Sequence, residues 1–153
     1  WKNNAGTVVA NLPAGDPIEL DDPGLVVWNI PVFSWLMNQT TMILGPRNQP
    51  HVITYKLPQP ERPDPVKHNP PPELAAKLSL FHYWRDTDGA WHENGPITPL
   101  RKRPGVIFDA QGNLFVYRAD HGAIRYNVAA PDNGWSHWTE HELPVSDTPI
   151  VKT

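Results

Sequence analysis

Cysteine is absent from this chain of 153 residues, and its absence excludes disulfide bonds and metal sites that depend on thiolates. The formal net charge of -3 gives the chain no overall attraction for nucleic acid. No apolar run approaches the length of a membrane-spanning helix. The first residues also lack a basic segment followed by an apolar core, the pattern of a signal peptide. We therefore expect neither nucleic acid nor a membrane as a partner.

Helix-forming sequence is also scarce. Only residues 72–78 have a helix-forming composition, and they span about two turns. The 19 prolines disfavour long helices, because proline lacks the N–H that an interior helical residue donates. Seven tryptophans occur in or beside short apolar segments that are separated by Gly, Asn and Asp. The predicted fold class is all-β.

The apolar segments form two units of four. The first unit predicts strands at 40–44, 51–57, 78–85 and 90–92, and the second at 105–109, 114–119, 123–128 and 135–143. Residues that tolerate positive φ join the strands, as tight hairpins require. Repeated units of four short strands predict a β-propeller.

The unit boundaries predict how the propeller domain divides. Residues 1–37 are expected to end one blade, 38–100 and 101–144 to form two blades, and 145–153 to close this portion or open the next blade. Residues 58–72 contain seven prolines and predict an extended surface loop. Because about two and a half blades cannot close a ring, we expect a fragment whose remaining blades belong to the same protein or to a complementary chain.

Several segments resemble a known family. Residues 1–13, 36–42, 50–55 (Pro-His-Val-Ile-Thr-Tyr) and 82–91 are similar to the C-terminal half of bacterial-neuraminidase-repeat propellers, notably ulvan lyases and rhamnose–glucuronate lyases. The resemblance implies the C-terminal part of a seven-bladed propeller, a secreted or periplasmic location, and an acidic polysaccharide or oligosaccharide as substrate. The chain departs from true sialidases, whose Asp box separates the two residues that stand here as adjacent Asp88 and Gly89.

The resemblance also implies β-elimination. Such a lyase removes the proton on carbon 5 of a uronate and expels the 4-linked sugar, which requires a neutralised carboxylate, a base and an acid. The principal catalytic residues of the family are expected in blades that precede Trp1. No cofactor is evident, and a structural metal ion in the intact propeller stays an open alternative.

Three side chains are candidates for acid–base catalysis: His51, Tyr55 and His82. His51 and Tyr55 lie four residues apart and share one strand face, from which both can contact substrate in a propeller channel. The alternative is a histidine beside a turn and a packed tyrosine. His82 is a candidate acid or base, or alternatively a histidine that fills the space between blades. Trp84 shares the face of His82 and is a candidate substrate contact.

Four further side chains are candidates for substrate binding. Asn38 and Gln39 precede a strand and can donate hydrogen bonds to sugar hydroxyls. Arg118, beside Tyr117, can bind a uronate carboxylate in bidentate fashion, or it can form an ordinary salt bridge on the strand. Residues 101–103 (Arg-Lys-Arg) can attract an anionic polymer or form a solvated loop.

The two units, aligned with each other, predict three pairs of equivalent positions: His51 with Asn113, His82 with Arg125, and Tyr55 with Tyr117. Trp135 and Trp138 are expected to pack between blades. The favoured function is a polysaccharide lyase. A noncatalytic propeller lectin, a glycoside hydrolase of the same propeller family and a protein-binding scaffold are the alternatives.

Overall fold

The computed structural model describes residues 1–19, 21–36, 40–59, 71–99, 103–120 and 122–145. These residues form two four-stranded antiparallel sheets with almost no helix, which confirms the all-β class. Across the same ranges, no helix has both the length and the apolar character that crossing a membrane requires.

The two sheets have the same topology. In spatial order, the first contains β1 (Thr41–Leu44), β2 (Pro50–Lys56), β3 (Ser79–Arg85) and β4 (Trp91–Asn94). The second contains β5 (Gly105–Phe108), β6 (Leu114–Asp120), β7 (Ala123–Ala129) and β8 (Thr139–Pro144). Each strand pairs with the next one along the chain, so both sheets are meanders, as the repeat of four apolar segments predicts.

Two elements are shorter than the sequence predicts. A strand is expected from residue 135, but β8 begins at Thr139. Gly134 and Trp135 have φ values of 63° and 54°, and this left-handed backbone cannot continue a strand. The helix predicted at 72–78 is reduced to α1 (Pro72–Ala75), because the chain must straighten to enter β3 at Ser79.

The two sheets pack face to face. Their shared core consists of six buried side chains: Ile53, Leu80, Leu114, Val116, Ala129 and Trp135. Side chains alternate across a strand, so residues two positions from a core residue also point into the space between the sheets. This rule decides the direction of each candidate site residue.

The sheets are aligned with β1 beside β5. Where these strands begin, the Thr41 hydroxyl donates a hydrogen bond to the carbonyl of Pro104 at 3.0 Å. Where they end, the turn after β1 adjoins the turn after β5, since a Cβ on Gly112 would lie 3.4 Å from Cγ of Pro46. At one end of the strands, β1 and β5 begin and β2 and β6 end. We call this end of the two sheets the Thr41 edge. The opposite edge is the Pro46 edge.

The N-terminal residues cover the other face of the first sheet. The backbone N–H of Leu57 donates to the Ser34 carbonyl at 2.7 Å, and Nη2 of Arg85 donates to the Asn4 carbonyl at 2.9 Å. Within residues 1–13, Lys2 and Val8 form an isolated antiparallel bridge. The described residues 25–36 contain no strand.

Candidate functional site

His51 and His82, the two histidines predicted to act in catalysis, are brought together between the sheets. His51 Nδ1 lies 2.9 Å from His82 Nε2, so the rings share one hydrogen bond, and they stack with a centroid separation of 5.1 Å. His51 is on β2 and His82 on β3, both on the face of the first sheet that meets the second sheet. Both side chains have 0% exposure.

Aromatic rings enclose the pair. Trp135 meets His51 edge to face at 4.7 Å, Trp138 meets His82 at 5.8 Å, and Phe108 meets His51 at 4.9 Å. The expectation that Trp135 and Trp138 pack between the units is therefore confirmed. The surroundings of His82 are those of a histidine that fills the space between two sheets.

Burial keeps both imidazoles neutral. It lowers the pKa of His51 to about 4, because the protonated ring loses its solvation. Burial lowers the pKa of His82 to about 3, and repulsion from His51 lowers it further. The outer nitrogens, His51 Nε2 and His82 Nδ1, have no hydrogen-bond partner among the described residues. The pair is thus a neutral group without solvent access.

A glycine makes room for His51. A Cβ added to Gly45, which follows β1, would lie 2.6 Å from His51 Nε2, closer than real Cβ contacts. The backbone N–H of Gly45 donates to the Gln49 carbonyl at 2.7 Å and fixes this turn. The imidazole of His51 therefore requires a residue without a side chain at position 45, in the turn at the Pro46 edge.

Two other predicted site residues, Tyr55 and Arg118, lie at the Thr41 edge. Each points from its own sheet towards the other sheet. Tyr55 lies two residues after core residue Ile53 and packs, half-buried, against the core. Arg118 lies two residues after core residue Val116 and points towards the first sheet. Its Nη2 is 3.6 Å from Oε1 of Glu140 on β8, and its side chain is 18% exposed. These two candidates therefore border one end of the space between the sheets.

Sequence reasoning missed the partner of Arg118. Arg125 on β7 is directly opposite Arg118 in the strand register, and its Nη2 lies 3.0 Å from Oε2 of Glu142. Two adjacent arginines, each with a carboxylate from β8, therefore lie together near the Thr41 edge. The turn signal at residues 120–122 could have predicted this pairing, because a tight hairpin fixes which residues face each other.

A model of the BNR repeat-containing family matches residues 1–97. The chain belongs to this family. The match covers residues 1–36 and the whole first sheet, and BNR repeats indicate a carbohydrate-related domain of the β-propeller type. No curated protein matches the chain.

The strand register of this BNR repeat protein corrects the alignment of its two units. Both first hairpins have turns of equal length, residues 45–49 and 109–113. Ile53 pairs with Thr41 and His82, whereas Tyr117 pairs with Gly105 and Tyr126. The register therefore gives three other pairs of equivalent positions: His51 with Phe115, Ile53 with Tyr117, and His82 with Tyr126. Each pair expected from the sequence differs from the pair given by the strand register by one or two residues.

The other side chains predicted to bind substrate do not lie together. Tyr117 is on the face of the second sheet that points away from the first. Trp84 is held between the rings of His92, at 4.5 Å, and Trp135, at 4.9 Å. His92 also contacts Asp86 Oδ2 at 2.7 Å, and this hydrogen bond lowers the pKa of the Asp86 carboxyl.

Asn38 and Gln39 lie outside the described residues, as do residues 101 and 102 of the basic segment. Arg103 is described and exposed, and its Nε donates to the Thr41 hydroxyl at 3.2 Å. A third arginine is thereby added to the Thr41 edge. Among the side chains that the structure describes, no group of three or more His, Asp or Glu is placed to hold a metal ion.

Proposed function

We propose that this BNR repeat protein is part of a propeller that acts on uronate-containing polysaccharide, and that the polymer binds at the Thr41 edge. The observation that carries the proposal is the paired position of Arg118 and Arg125 on adjacent strands. Like charges directly opposite each other destabilise a sheet unless anions neutralise them. Glu140 and Glu142 do so in the structure, and uronate carboxylates suit the same guanidinium groups.

The proposed reaction is β-elimination. A base removes the proton on carbon 5, the electrons form the double bond between carbons 4 and 5, and the bond from carbon 4 to the leaving oxygen breaks. That oxygen then takes a proton from an acid. In this proposal Arg118 neutralises the carboxylate and so acidifies the proton on carbon 5, and Tyr55 is the described side chain best placed to exchange a proton at this edge.

The histidine pair is assigned a supporting role in the proposal. His51 and His82 are buried, neutral and enclosed by tryptophans, so a polymer cannot reach them without separation of the sheets. They hold β2 and β3 in register against the second sheet. The acid or base that acts together with Tyr55 is then expected in another blade of the propeller, whether that blade belongs to the same protein or to a complementary chain.

The experiment is an assay of the intact natural protein with ulvan-type polymer and a panel of other uronate-containing polysaccharides. Cleavage by β-elimination creates unsaturated uronates, and we expect an increase in far-ultraviolet absorbance. The variant Tyr55→Phe, which preserves ring packing, should lower turnover. Absence of absorbance change across the whole panel would overturn the lyase proposal.

Noncatalytic glycan binding is the second candidate. It is favoured by the same burial that removes His51 and His82 from contact with substrate. In this case the intact protein should bind the acidic polymer with a salt-dependent affinity and leave its length unchanged. Size-exclusion chromatography of the polymer after incubation separates this result from cleavage by either a lyase or a hydrolase.

A further inference from the structure

Arg118, the arginine proposed to bind uronate, has unused capacity for hydrogen bonds. Its side chain is 18% exposed, and its Nη2 lies 3.6 Å from Oε1 of Glu140, which is beyond the length of a hydrogen bond. No other described residue forms a hydrogen bond with this guanidinium. A guanidinium has five N–H donors, and buried polar groups are normally hydrogen-bonded. The N–H groups of Arg118 can therefore accommodate the oxygens of a ligand.

The contact between Arg118 and Glu140 reaches across a strand. Arg118 is on β6 and Glu140 is on β8, and β7 lies between them. In the strand register, Arg118 is opposite Arg125, and Arg125 is opposite Glu142, with which it forms an ion pair at 3.0 Å. Glu140 is instead opposite Asn127 and reaches its arginine only diagonally. Of the two carboxylates, Glu140 is therefore held less firmly.

We infer that Glu140 is a built-in competitor of the ligand. Its carboxylate screens the charge of Arg118 in the free protein, and it must swing away when a uronate carboxylate binds, because two anions beside one guanidinium repel each other. Glu140 can move at little cost, since half of its side chain is exposed and ion pairs of this kind are weak. The inference rests on the proposed binding of uronate at the Thr41 edge.

This competition determines which anions bind. A small carboxylate such as acetate only replaces the carboxylate of Glu140 at Arg118, and the exchange of one anion for another gains little free energy. A uronate within a polymer also contacts other groups at the Thr41 edge, such as Tyr55, and these contacts offset the displacement of Glu140. Glu142 meanwhile continues to neutralise Arg125. Glu140 is therefore a specificity determinant that favours polymeric uronates over small anions.

The experiment is isothermal titration calorimetry of the intact natural protein with trigalacturonate as the probe. Glu140→Gln removes the competing charge and should bind the probe about threefold to fivefold more tightly, the factor that corresponds to one partly exposed ion pair. Glu140→Ala should show the same gain. Glu19→Gln makes the same change of net charge at an exposed position among the N-terminal residues and should leave the affinity unchanged. In an Arg118→Gln background, Glu140→Gln should give no gain.

The outcomes separate this inference from the proposed function. Unchanged affinity in Glu140→Gln, an equal gain in Glu19→Gln, or a gain that persists without Arg118 would overturn the inference and leave the proposed function in place. Tighter binding by Glu140→Gln without production of unsaturated uronates would support the inference and overturn the lyase proposal. No binding of the probe by any of the proteins would overturn both. Circular dichroism and thermal unfolding verify that every variant is folded.

Discussion

His51 Nδ1 lies 2.9 Å from His82 Nε2 at a place where neither ring is exposed to solvent. Each imidazole can be protonated more readily in the unfolded chain, where its pKa is near 6.5, than in the folded protein, where the values are about 4 and about 3. The unfolded state therefore binds more protons whenever the pH lies between these limits.

The first prediction concerns this pH range. Above pH 6.5 these two histidines should not change the free energy of unfolding. As the pH decreases from 6.5 towards 4, they should make it fall. The slope is about 1.4 kcal/mol per pH unit for each histidine that titrates only in the unfolded state. Urea unfolding at several pH values measures it. His82→Gln should reduce the slope, whereas His137→Gln, at an exposed position, should leave it unchanged. An equal slope in all three proteins would contradict the prediction.

The second prediction concerns Gly45. Gly45→Ala should lower the free energy of unfolding by about 1–3 kcal/mol, because the added methyl group would overlap His51 Nε2. His51→Ala removes the obstructing ring and should reduce the cost of the Gly45 change. A double-mutant cycle measured by chemical denaturation gives the coupling between the two positions. Additive effects of the two substitutions would show that the turn and the histidine are independent.

The third prediction concerns the outer strand of the first sheet. Nδ2 of Asn94 donates to the carbonyl oxygens of Gly134 at 2.7 Å and Trp135 at 3.2 Å. Asn94→Asp replaces this donor with a carboxylate, which near neutral pH would face two carbonyl oxygens. We expect a loss of stability of about 1–3 kcal/mol. Thermal unfolding at pH 7 and under acidic conditions, compared with Asn94→Ala, is the measurement. If both variants lose the same stability at both pH values, electrostatic repulsion is not the cause.

The fourth prediction separates the two edges of the sheets. Arg118→Gln should weaken binding of an acidic polysaccharide by about tenfold or more, because a charge-assisted hydrogen bond to a carboxylate is lost. Arg47→Gln makes the same change of charge at the Pro46 edge, where Arg47 is exposed, and should have little effect. Isothermal titration calorimetry with oligouronates measures both affinities. Both variants should unfold like the unmodified protein, because the ion pair of Arg118 with Glu140 is partly exposed and Arg47 is exposed. Equal loss of affinity in both variants would indicate attraction by net charge alone.

Much of the fold could be predicted from the sequence because turn chemistry is local. Short apolar runs stand before and after the turn that contains Gly112, and the structure forms β5 and β6 there. Residues 135–138 were not predictable in the same way. Trp135 adopts a positive φ because its ring is buried between the sheets and its Nε1 donates to the Gly112 carbonyl. Tertiary packing, rather than local preference, determines that conformation.

The candidate site was less predictable, and register explains why. A shift of one residue between His82 and its equivalent in the second unit exchanges Tyr126 for Arg125, and the two point to opposite faces. Counting from the two turns of equal length gives the correct pairs. The burial of His51 and His82 could not be obtained by counting, because it requires the second sheet to be in place.

Two polar contacts join the sheets at opposite sides of the first one, from Thr41 on β1 to Pro104 and from Asn94 on β4 to Gly134. A single contact would act as a pivot about which one sheet could turn relative to the other. Two contacts on different edge strands fix the rotation between successive sheets. In any circular arrangement of such sheets, that rotation determines how many of them complete the circle, so a threonine hydroxyl or an asparagine amide at an edge strand can affect the size of the whole ring.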